Sequence, residues 1–200
     1  SRAGQSGFIN IINNSLLALE NCEKSSITSK VTEYQIFCQN KTEKDGCIKI
    51  IDTPGFNYKT EKDNNKKLVD IDKVNEEIFN LIKDYKEKNS FDDIHFVLFF
   101  FFEGTPLTGT EKVLEMFMKE NYTVLFIVNK SSNIDDNGKS VDIKSTLKFL
   151  KDNKLNKLAI EENIIPCNTV NAKRFPGYGI NDIFKRIFDL LTEKNIFLQK

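Results

Sequence analysis

A chain of 200 residues has the length of one domain with insertions, and 40% hydrophobic and 29% charged residues are the composition of a globular chain with a sizeable core. Twenty-nine basic side chains balance 29 acidic ones, which removes the electrostatic case for nucleic acid or an anionic membrane as the main partner. Cys22, Cys38, Cys47 and Cys167 are too widely spaced for a zinc pattern or a C-x-x-C motif, and with His95 the sole histidine they argue against a Cys/His metal site and for a reduced, cytoplasmic chain.

Ser1 to Gly7 is small and polar, and Phe8-Ile9-Asn10-Ile11-Ile12 opens a helical pattern that runs to about Glu20. Asn21 to Ser29 reads as a loop. Val31 to Cys38 is rich in β-formers, and with a turn near Gly46 it is expected to pair antiparallel with Cys47–Asp52. Phe56 to Lys67 is a charged loop. Val69 to Lys86 places Val69, Val74, Ile78, Leu81, Ile82 and Tyr85 on one side of a helix.

Phe91 to Phe102 ends in the run Phe96–Phe102, the form of a central parallel strand covered on both faces and far short of the roughly twenty apolar residues of a membrane span. No signal peptide opens the sequence, so any attachment to a membrane surface is expected through segments outside this chain. Thr108 to Glu120 is predicted helical, with Thr108 as cap, Glu111 completing a capping box and Val113, Leu114, Phe117 and Met118 inward. Val124–Val128 is a second buried strand, Asp142–Lys151 a helix and Ile164–Cys167 a short strand. Ile180–Lys194 is an amphipathic helix with Ile183, Phe184, Ile187, Phe188, Leu190 and Leu191 inside. Strands alternate with helices, with no repeat and no linker, so residues 1–200 read as one α/β domain with a mostly parallel sheet sandwiched by helices.

The chemistry is expected at strand ends. The apolar run Ile48–Ile51 finishes in Asp52-Thr53-Pro54-Gly55, the form of a buried strand that delivers a carboxylate to its C-terminal edge, where ligands sit in open α/β sheets. Val124–Val128 finishes in Asn129-Lys130-Ser131-Ser132, and Ile164–Cys167 is followed by Asn171-Ala172-Lys173. At the amino terminus, Gly4-Gln5-Ser6-Gly7 precedes a helix whose free amides favour anions. Between the first helix and the first strand lies a hydroxyl-rich segment containing Thr28, with Thr32 as its alternative.

In this order the segments resemble the P-loop GTPase superfamily over nearly the whole chain. Within it, Phe8-Ile9-Asn10, Asp52-Thr53-Pro54-Gly55-Phe56 with its charged insert, and the strand Ile94–Phe102 resemble the septin-like group of septins, Toc receptors and immunity-associated GTPases. The resemblance implies a three-layer α/β/α G domain that binds GTP or GDP with magnesium. Gly4, Gln5, Ser6 and Gly7 would hold phosphate, and Ser6, Thr28 and Asp52 the magnesium. Gly55 would sense the terminal phosphate. Asn129, Lys130, Ala172 and Lys173 would hold the base, and Thr28 is the candidate for a part in hydrolysis. It also implies pairing of G domains in a homo- or hetero-dimer, or a larger assembly.

The chain departs from the family pattern at three tasks. Gln5 stands where the phosphate lysine belongs, Ser132 where a carboxylate accepts from guanine, and Phe56 where small GTPases carry a water-orienting glutamine. A second alignment treats Gly4–Gly7 as the beginning of a phosphate loop whose G-K-S piece is absent before Phe8. Too few residues precede Gly4 for the first strand, so either that strand is missing from these residues or the site is altered. Two functions follow: a GTP/GDP-controlled switch or assembly module with slow hydrolysis, or a pseudo-GTPase serving as an interaction module. A Ser or Cys hydrolase finds no support, since no G-x-S-x-G is present.

Overall fold

A computed structural model describes residues 5–13, 32–38, 46–52, 71–88, 96–102, 107–129, 141–168 and 179–193. Helix and strand are mixed, and the chain divides into two compact units, Ser1–Tyr85 and Lys86–Lys200.

The first unit holds α1 (Gln5–Asn13), β1 (Thr32–Cys38), β2 (Gly46–Asp52) and most of α2 (Ile71–Lys88). Helix α1 is in place at Gln5, earlier than the apolar pattern indicates, and Gly7, Phe8 and Ile9 are all buried along it. The run from 14 to 20 lies outside the described residues. β1 and β2 pair antiparallel as expected, in a register that sets Thr32 opposite Asp52 and Cys38 opposite Gly46. Along α2, Ile78 is buried and Ile82 and Tyr85 are half-buried, while Glu76, Lys83, Asp84 and Glu87 face solvent. The hydrophobic pattern of this helix does not reveal that Asn75 is buried as well.

The second unit is built on three parallel strands in the order β3 (Phe96–Phe102), β4 (Thr123–Asn129) and β5 (Ile164–Cys167). Between them run α3 (Glu111–Lys119) and α4 (Val141–Asp152), with short 3-10 turns at Asn156–Leu158 and Glu161–Asn163, and α5 (Ile180–Glu193) closes the unit. β4 lies in the middle. Its residues Val124 to Val128 are at most 1% exposed, which is why its sequence is apolar without alternation. Each such side chain is worth about 1.5–3 kcal/mol relative to leaving it in water. Phe99 packs on Phe126 with ring centroids 5.9 Å apart. Val113, Leu114 and Phe117 of α3, Leu150 of α4 and Ile183 and Leu190 of α5 complete this core.

Helices α3 and α4 both end in a Schellman motif. Tyr122 N–H donates to Phe117 O at 2.9 Å and Leu155 N–H to Leu150 O at 2.8 Å, around the left-handed residues Asn121 (φ 58°) and Lys154 (φ 60°). Each motif turns the chain so that a buried side chain, Tyr122 or Leu155, follows at once. The Tyr122 ring is met edge-on by Phe117 at 6.0 Å, and the Lys86 ammonium lies 4.8 Å from its centre.

Two sequence expectations shift. Thr108 is exposed in a turn and caps nothing; the residue before α3 is Thr110, whose hydroxyl donates to Leu107 O at 2.6 Å. Gly109, at φ 90°, carries the turn, and its N–H is accepted by the Glu111 carboxylate at 2.6 Å, so Glu111 keeps the satisfying role but for a different donor. On α5 the periodicity gives the face but overstates its width: Phe184, Ile187 and Leu191 are half-buried and Phe188 is 49% exposed. Among the described residues no helix is long and apolar enough to cross a membrane.

Candidate functional site

Asp52 ends β2, is 5% exposed and is engaged in interactions within the chain. A carboxylate in that setting has to be compensated, since an isolated buried charge is expensive. The strand delivers it because Gly46–Ile51 pairs along its length with β1, whose first residue, Thr32, is the register partner of Asp52. The alternative threonine of the sequence reading therefore starts its strand across the ladder from the candidate magnesium carboxylate.

Gln5, Ser6 and Gly7 occupy the first described turn of α1, where backbone N–H groups have no partner within the helix. Gln5 is half-buried and Gly7 buried. Gly4, Thr28, Gly55, Lys130, Ala172 and Lys173, like Phe56 and Ser132, lie outside the described residues.

The second unit presents its strand ends in a row. Parallel pairing aligns Phe102 with Asn129 and Asn129 with Cys167, so all three strands finish on one line at the carboxyl edge. Asn129 and Cys167 are both fully buried, and the Cys167 thiol donates to Asn129 Oδ1 at 3.9 Å. Burial pushes that thiol up to about 12, so it stays protonated and remains a donor. Gly179, at φ 79°, backs the pair: a Cβ built on it would sit 2.7 Å from Cys167 Cβ. The chain thus leaves β5 at Cys167 and returns to it at Gly179, and Asn171, Ala172 and Lys173 fall in that interval.

Sequence reading identified Asp52 and Asn129 as strand-end groups, and both are buried where their strands stop. Cys167 and Gly179 it missed. The one available signal was the glycine just before the apolar period of α5, which reads as a helix start rather than as a close approach to β5. Among the described residues no group of three or more His, Cys, Asp or Glu could hold a metal ion. A small cavity of about 180 Å³, lined by Met118, Asn121, Tyr122, Lys157 and Leu158, lies by the start of β4, the opposite strand end from Asn129. No protein-family model matches the chain, and no curated protein matches it either.

Proposed function

We propose that the chain is a guanine-nucleotide-binding domain, a three-layer α/β/α G domain of the P-loop GTPase type, which acts as a GTP/GDP-controlled switch or assembly module with slow hydrolysis. The observation that carries this reading is Asn129: a buried carboxamide at the carboxyl end of the middle strand of a parallel sheet, in the sequence context Asn-Lys. Such strand ends are where open α/β sheets take their ligands. Asn129 and Lys130 hold the base together with Ala172 and Lys173 of the Asn171-Ala172-Lys173 segment. Asp52, Ser6 and Thr28 hold magnesium, and the amides of the α1 start hold phosphate.

A magnesium ion shared with phosphates takes only one or two carboxylates from the protein, so one buried carboxylate, that of Asp52, would suffice to hold it. A bound ion would supply charge neutralisation on the phosphates. Asp52 fixes its position, and Thr28 and Gly55 tie the ordering of their segments to the terminal phosphate. That coupling is what makes nucleotide state readable by a partner G domain. Phe56 offers no hydrogen bond to an attacking water, which keeps hydrolysis slow.

A second reading, a pseudo-GTPase that serves as an interaction module, is favoured by Gln5, Ser132 and Phe56, which alter three chemically distinct tasks. Titration of labelled GDP, GTP and ATP with and without magnesium separates the two. The switch reading expects GDP and GTP to bind, ATP to bind at least about tenfold more weakly, and Asp52→Ala to remove the magnesium-dependent part of the affinity. Absence of binding at tens of micromolar protein sinks it. Tight binding that depends on Asp52 sinks the inert module.

A further inference from the structure

We draw no further inference here: the strongest candidate, the cavity of about 180 Å³ by the start of β4 between Met118, Asn121, Tyr122, Lys157 and Leu158, carries a single lining charge, on the exposed Lys157, and nothing in the structure shows what occupies it.

Discussion

Gly179 approaches Pro166 so closely that a Cβ built on it would stand 2.3 Å from the Pro166 carbonyl oxygen. Backbone cannot give way as a flexible side chain can, and φ 79° is strained for any residue with a Cβ. Gly179→Ala is therefore expected to cost about 2 kcal/mol or more, a fall of roughly 4–8 °C in Tm. Thermal unfolding followed by circular dichroism checks it, and a melting point within about 1 °C of the parent contradicts the packing described.

The buried Cys167 thiol gives a pH dependence of definite sign. Its pKa is raised by burial from 9.0 to about 12, so below about pH 9 the group is neutral folded or unfolded and its contribution is fully present. Between those values the unfolded chain releases a proton that the folded chain keeps. Stability then falls as pH rises, by up to about 1.4 kcal/mol per pH unit. Other groups titrate in the same window, so the difference between parent and Cys167→Ser is the measurement. Denaturant midpoints from pH 8 to 11 should fall more steeply for the parent, and parallel curves would contradict the assignment.

Asn75 is buried on α2 with neither side-chain polar atom hydrogen-bonded among the described residues. Such a group carries its desolvation cost without return. Replacement by leucine, which has the same branching but is bulkier, should stabilise the chain by about 1 kcal/mol once the packing cost is set against the relieved desolvation, and a Tm that falls instead would show that the amide has work to do.

Lys154 sits in the left-handed conformation at the Schellman turn that ends α4. A side chain there costs roughly 1 kcal/mol that glycine avoids. Lys154→Gly should raise stability by about that amount even though it removes an exposed charge, whereas the same change at Lys151, inside the helix, should lower it by a similar amount. Chemical unfolding of the two variants side by side decides the matter.

What the sequence made legible follows from where physics leaves a periodic trace. β3 and β4 are apolar without alternation because they are covered on both faces, and Asp52 and Asn129 stand out because a polar residue that stops such a run must lie at its end. Asn75 left no trace, since one polar residue among exposed helix positions looks like any other. Phe188 was misplaced because a period of 3.6 gives direction but not the width of the stripe that neighbours cover. Gly109 moved the start of α3 by supplying a turn that no hydrophobic pattern encodes. The Asn129–Cys167 pair could not be read at all: it joins residues far apart in the chain and exists only through the register of two strands.

Pro166 sits within β5, which among the described residues has a strand on one side only. Without an N–H, proline leaves a gap in the row of donors that another chain would need in order to add itself there, and a strand of four residues gives it little length to grip. A sheet so rich in phenylalanine is a hazard while the chain is being made. A proline and a short run of residues are features by which edge strands discourage such pairing.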